Sequence, residues 1–247
     1  MPENQLISKL DRCVTKCIME YALIGNGDSV LIGVSGGKDS LALAELLARR
    51  SRIFVPKFKI TALHVDMEGI GYNSDTEYLK DFCNGLGIDF YTRSCSIDFS
   101  KDKRKSPCFL CSWYRRKTLF DFARECGCNK IALGHHRDDI IATLLMNMTF
   151  QGSFSTMPPL LKMNRFDMCI IRPLALIDES DLNALAEYRG YRIQEKRCPY
   201  ERSGYRKEMQ EIIGRLARMN GNARSNIWGA MENIQKDYLP DRKGSDL

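Results

Sequence analysis

The chain has 247 residues, 44% hydrophobic and 28% charged, with a net charge of +6, a balance that suits one large domain, or a main domain with an appendage, and excludes wholesale disorder. No apolar run approaches the ~18 residues of a membrane helix, and the ten cysteines stand in a chain without an export signal, so a cytoplasmic protein is expected, its cysteines thiols, cluster ligands or catalytic groups rather than disulfides. The basic charge is concentrated, seven Lys/Arg against two Asp/Glu in residues 96–117 and nine against four in residues 192–224, which describes either two solvated helix faces or, if the segments meet, a surface for a polyanion.

Residues 4–22 place Leu6, Ile7, Leu10, Cys13, Val14, Cys17, Ile18 and Tyr21 on one helical stripe, so Cys13 and Cys17 read as core residues rather than ligands. Gly25-Asn26-Gly27 ends that helix. Strand-like and helical runs then alternate: strand 29–34, helix to 50, strand 58–65, helix 75–86, strand 88–92, helix 109–125, strand 130–133 and helix 137–149. The pattern predicts an α/β fold, a doubly wound parallel sheet with helices on both faces. Ligands of such sheets bind beyond the C-terminal strand ends, so the loops after Val34, Val65 and Leu133 should converge. Residues 151–168 read as a polar loop, residues from Cys169 as a further strand, 178–189 as a helix, and the stretch from Asn220 to Tyr238 as helical.

The stretch Val-Leu-Ile-Gly-Val-Ser-Gly-Gly-Lys-Asp-Ser, residues 30–40, carries an apolar strand into a glycine pair and a helix start. Gly36 and Gly37 let backbone N–H groups approach an anion closely, and Lys38, Asp39 and Ser40 open a helix whose dipole favours phosphate. The spacing is not that of a Walker loop, which needs four residues between its glycines and a Lys-Ser/Thr ending. It resembles the pyrophosphate-binding loop of the PP-loop ATPases, Ser-Gly-Gly-x-Asp-Ser, which Ser35 to Ser40 match at every fixed position. The resemblance implies ATP cleaved between its α and β phosphates, with pyrophosphate held by the backbone around Ser35 to Lys38 and by Ser40, and with Asp39 on Mg²⁺.

After the second strand stand His64, Val65 and Asp66. In the PP-loop family this position lines adenine and ribose, largely through backbone, although an Asp ending a strand also caps turns. After residue 133, Gly134-His135-His136-Arg137-Asp138-Asp139 places two of the three histidines beside two carboxylates. The cluster can bind metal, move protons or orient a substrate, or simply favour a helix dipole. The run from Leu133 to Asn147 is similar to the tRNA 2-thiocytidine synthetase branch of the PP-loop enzymes, which makes Gly134 and His135 nucleotide contacts and Asp138 the candidate catalytic carboxylate. Ala142 departs from the Glu or Gln expected there.

Pro107-Cys108-Phe-Leu-Cys111 followed by Arg115 and Arg116 forms the third constellation. A Cys-x-x-Cys serves a redox dithiol, half a zinc site or two cluster ligands, and Cys198 offers a third thiolate. The resemblance implies that Cys108, Cys111 and Cys198 hold a 4Fe-4S cluster with one iron open for sulfide. The family's second Cys-x-x-Cys ends here in Glu201, which suits a three-cysteine cluster and also admits zinc on three Cys and Glu201. Arg115 shares a helix face with Cys111 and, by the same resemblance, approaches the base and the sulfur. Trp113 is either core or a stacking platform.

Met157-Pro-Pro and Ile171-Arg-Pro-Leu extend the resemblance over about residues 28–235. The expected organisation is an N-terminal helix (1–26), a PP-loop ATP-binding domain (27–190) and a basic helical extension (191–247) carrying the third cysteine. The implied activity is ATP-dependent thiolation of a tRNA cytidine, at position 32, with tRNA and a sulfur donor (sulfide or a desulfurase system) as partners, no membrane, and a homodimer left open. A PP-loop ligase of the lysidine-forming type, or a zinc-stabilised nucleotide- or RNA-binding protein, are the alternatives.

Overall fold

The structure is a computed structural model and describes residues 2–53, 55–68, 74–97, 107–163, 167–194 and 205–240. Helix α1 (Glu3–Glu20) buries Leu6, Ile7, Leu10, Val14, Cys17 and Ile18, the stripe read from the sequence, and lies against α2 (Lys38–Ser51) and α6 (Glu179–Arg189). At roughly 1.5–3 kcal/mol for each large side chain buried, on the order of 10 kcal/mol ties α1 to the main core. Cys17 is fully buried and burial pushes its thiol up to about 12, so it stays a protonated core residue.

Six strands form one sheet in the order β3-β2-β1-β4-β6-β5. Strands β1 (Ser29–Gly33), β2 (Lys59–Glu68), β3 (Asp89–Ser96), β4 (Lys130–Ala132) and β6 (Cys169–Ile171) run parallel, with Gly33 opposite Leu63 and Ile32 opposite Ala132. Alternating residues feed two apolar layers. Val30, Ile32 and Ala132 join α1, α2 and α6 on one face, while Leu31, Leu63 and Ile131 meet Leu119, Phe122 and Ala123 of α4 (Pro107–Glu125) on the other. This is the doubly wound α/β arrangement.

Two elements differ from expectation. Leu160–Lys162, placed within a polar loop, form β5, which pairs antiparallel with β6; three residues hold no legible alternation, and the strand exists only because β6 offers an open edge. The C-terminal stretch is two helices, α7 (Tyr205–Met219) and α8 (Ala223–Glu232), followed by a short 3-10 turn at Lys236–Tyr238, so helix gives way at Glu232. Helix α7 sets Met209 and Ile213 against Ile141 and Ala142 of α5 (Arg137–Gln151). That seam explains Ala142: it is fully buried, where a Glu or Gln would bury a polar group without a partner.

Strand β1 has β2 on one side and β4 on the other, so the chain turns opposite ways on leaving their carboxyl ends. The crevice at this switch point is flanked by residues 34–37 and residues 133–136.

Candidate functional site

The turn after β1 is built by two serines. Ser40 Oγ donates to the Gly37 carbonyl at 2.8 Å and accepts from Ser35 N–H at 3.2 Å and from Ser35 Oγ at 3.3 Å. Gly36 has φ +78°, a left-handed conformation that glycine adopts at little cost. A Cβ at Gly134 would stand 3.0 Å from the Asp39 carbonyl, so glycine there lets the loop after β4 close on the start of α2. The two flanks of the crevice are in direct contact.

Lys38 Nζ lies 3.1 Å from Asp39 Oδ1 and 3.2 Å from Glu179 Oε1. Burial alone would lower its pKa, but the Asp39 and Glu179 carboxylates together raise it, so it remains a cation near the turn. Asp39 Oδ1 is buried and lacks an aligned hydrogen bond, which leaves lone pairs for a hard cation such as Mg²⁺. With the turn's N–H groups and Lys38, these residues fit a Mg-nucleotide.

His64 leans from β2 onto the same turn: its Nδ1 is 2.8 Å from the Val34 carbonyl and its buried Nε2 has no partner. Burial lowers its pKa, and the charge of Arg115 on α4 adds to that shift. The sheet thus brings the β2 end and the Arg115 helix to one place. Val65 is buried in the apolar layer beneath α4, so it can offer a ligand only backbone; Asp66 is half-buried.

The loop after β4 buries His136 and half-buries His135. His135 Nδ1 is buried without a partner, and burial followed by the charge of Arg172 pushes its pKa down to about 4. Asp139 accepts the His136 N–H at 3.3 Å. Asp138, expected as a catalytic carboxylate, has both oxygens engaged: Oδ2 accepts the Glu179 N–H at 2.9 Å and Oδ1 accepts from Arg224 Nε at 2.5 Å. It joins α5, α6 and α8 and, through Glu179, the Lys38 side chain.

Several site residues carried no signal in the sequence. Glu179 looked like an ordinary acid in a first helical turn, and Arg224 one basic residue among many. Arg172 is 5% exposed, donates Nη1 to the Pro158 carbonyl and leaves Nε without a partner; burial and then Arg116 push its pKa down to about 10. The Met-Pro-Pro and Ile-Arg-Pro-Leu runs therefore meet. The charge of Arg116, in one basic segment, acts on Arg172, and that of Arg206, in the other, acts on His135.

Cys111 of α4 is half-buried against the apolar layer beneath that helix, and Arg115 is partly buried one turn further on. Cys108 lies one turn before Cys111 in α4, although its side chain, like the whole of Cys198 and Glu201, is outside the described residues. Among the described residues no group of three or more His, Cys, Asp or Glu is gathered for a metal. Cys108 and Cys111 stand at i, i+3 spacing in the backbone of α4. Trp113 is 45% exposed and so is not a core residue. No described helix is long and apolar enough to cross a membrane.

Comparison with known proteins adds an independent line. The PP-loop domain family matches residues 3–211. The tRNA-cytidine(32) 2-sulfurtransferase of Pseudomonas syringae pv. syringae is 33% identical over 99% of this chain and 90% of its own length, and that of Sorangium cellulosum is 37% identical over 96% and 85%. Among solved structures, the U34-tRNA thiolase NcsA from Methanococcus maripaludis with its [4Fe-4S] cluster aligns with a TM-score of 0.78 at 25% identity, covering 100% of this chain and 87% of that one.

Proposed function

The chain belongs to the PP-loop family and, within it, to the tRNA-cytidine(32) 2-sulfurtransferases, and we propose that it thiolates a tRNA cytidine, at position 32, at the expense of ATP. The observation that carries this reading is the switch-point crevice, where the Gly134 loop closes on the start of α2 beside the Ser35–Ser40 turn, with the charge of Arg115, on the Cys108/Cys111 helix, acting on His64 next to it. In this reading the turn's N–H groups and Lys38 hold the phosphates, Asp39 holds Mg²⁺, and His64, Val65, Asp66 and Gly134 border the nucleoside. The C2 oxygen of cytidine attacks the α-phosphorus and pyrophosphate leaves; sulfur then replaces the adenylated oxygen and AMP departs. His135, neutral at pH 7, can accept or donate one hydrogen bond without adding charge beside Arg172. Arg115 orients the base, and the exposed cations of α4 and α7 hold the RNA backbone.

Cys108 and Cys111, with Cys198, would hold a 4Fe-4S cluster, which when bound would supply a site for sulfide. Asp138 serves this site by position, since its pairs with Arg224 and with the Glu179 N–H set the N-terminus of α6 and thereby the carboxylate opposite Lys38. Cytoplasm, where tRNA and reduced thiols coexist, is the fitting compartment.

The test is anaerobic reconstitution with iron and sulfide, followed by assay of tRNA for 2-thiocytidine with ATP. Brown protein that forms AMP, pyrophosphate and 2-thiocytidine supports the reading. Colourless protein with one zinc and no ATP cleavage would overturn it, and thiolation undiminished in Cys198→Ala would remove the cluster from the mechanism.

A further inference from the structure

Beyond α6 the chain does not leave the domain but crosses back over the nucleotide turn. Tyr191 donates its hydroxyl to Glu45 of α2 at 2.8 Å and stacks edge-on with Phe82 of α3 (Thr76–Gly85). Arg192 lies over the Tyr78 ring at 4.2 Å, and its N–H donates to the Tyr78 hydroxyl at 3.1 Å. Gln194 then reaches the turn itself. Its N–H donates to the Gly36 carbonyl at 2.9 Å, and its side-chain Oε1 accepts the N–H of Asp75, the N-cap of α3, at 2.6 Å.

The direction of the first bond matters. In a trans peptide the carbonyl of Gly36 and the N–H of Gly37 point opposite ways. With the carbonyl fixed toward Gln194, the Gly37 N–H must face the other side, where it makes only a long 3.5 Å hydrogen bond to Ser35 Oγ. The Gln194 side chain also fills the space that a Cβ on Gly36 would enter. The contact is thus steric as well as polar.

We propose that Gln194 is a positioning residue for the nucleotide: it clamps the Gly36–Gly37 peptide so that the Gly37 N–H is presented to phosphate before ATP arrives, and it ties that peptide to the start of α3. The proposal rests on the reading of Ser35–Ser40 as the ATP site. Preorganised donors bind without the cost of reorienting. Because the clamp touches the loop and not the base, its loss should raise the KM for ATP while leaving kcat at saturating ATP nearly unchanged.

The experiment is calorimetry with Mg-ATP on the full chain. Gln194→Pro removes the N–H and is expected to weaken binding about tenfold, roughly what one hydrogen bond supplies; Gln194→Ala keeps the N–H, loses only the tie to Asp75, and should weaken binding by about threefold or less. A parent protein that binds no ATP overturns the underlying reading and this proposal with it. A parent that binds, beside a folded Gln194→Pro within twofold of it, overturns the proposal alone. If Gln194→Pro does not fold, amide exchange in the parent decides: the Gln194 amide should exchange more slowly with ATP bound, and unchanged exchange overturns the clamp.

Discussion

Single residues show how closely the site is drawn. Gly36 combines a φ of +78° with the Gln194 side chain where a Cβ would go. Gly36→Ala therefore meets both the ~1–2 kcal/mol cost of the left-handed region and a collision, and ATP affinity should fall at least tenfold, by about that energy, while circular dichroism still reports a folded protein. His135 makes a different prediction. Burial, with Arg172 beside it, holds its pKa at about 4, below the ~6.5 of an unfolded chain. Between those values the unfolded state binds the proton and the folded state does not, so stability is complete above about pH 6.5 and is lost as pH falls toward 4. Denaturation midpoints measured across that window should slope with pH in the parent and flatten in His135→Gln. The motif residues were legible because their chemistry is local to the chain; the depressed pKa was not, since it comes first from burial in the folded structure and then from Arg172, distant in sequence.

Between elements, the carboxylate of Asp138 joins three helices. It is 3% exposed and accepts from the α6 N-terminus and from Arg224 of α8. Asp138→Ala leaves that guanidinium and that N–H without their partner and should cost about 3 kcal/mol by urea denaturation. Asp138→Asn keeps an acceptor and should cost less than half as much. If the residue acts by position, Arg224→Ala should lower thiolation in parallel with Asp138→Asn; a proton-transferring carboxylate would instead give an inactive Asp138→Asn with Arg224→Ala still active. Helix α1 was readable from its apolar stripe, and helices α2 to α6 and strands β1 to β4 and β6 from the alternation of strand-like and helical runs. Strand β5 was not, because its three residues become a strand only on the edge of β6, and Arg224 lay unremarked among basic neighbours because nothing local distinguishes a paired cation from a solvated one.

At the scale of the whole molecule, α7 presents Arg206, Lys207, Arg215 and Arg218 to solvent, and Arg116 of α4 perturbs the same buried pair as Arg206. Arg116 and Arg206 thus act on one pair from the two basic segments. Affinity for tRNA should fall steeply with salt, and replacing Arg206, Lys207 and Arg215 by Gln should reduce the slope of log K against log salt by roughly 2–3, at about 0.7–0.9 per phosphate contact. Filter binding from 50 to 300 mM salt measures it, and an unchanged slope would place the RNA elsewhere. By itself the sequence determined the α/β alternation, the phosphate turn and the family, because these depend on residues adjacent in the chain whose backbone and side-chain chemistry act together. Only the tertiary structure decided which distant groups complete the site. Glu179 opposite Lys38, Arg224 on Asp138 and Gln194 on Gly36 are juxtapositions set by strand order and helix packing, and no local pattern encodes a contact made across more than forty residues of chain.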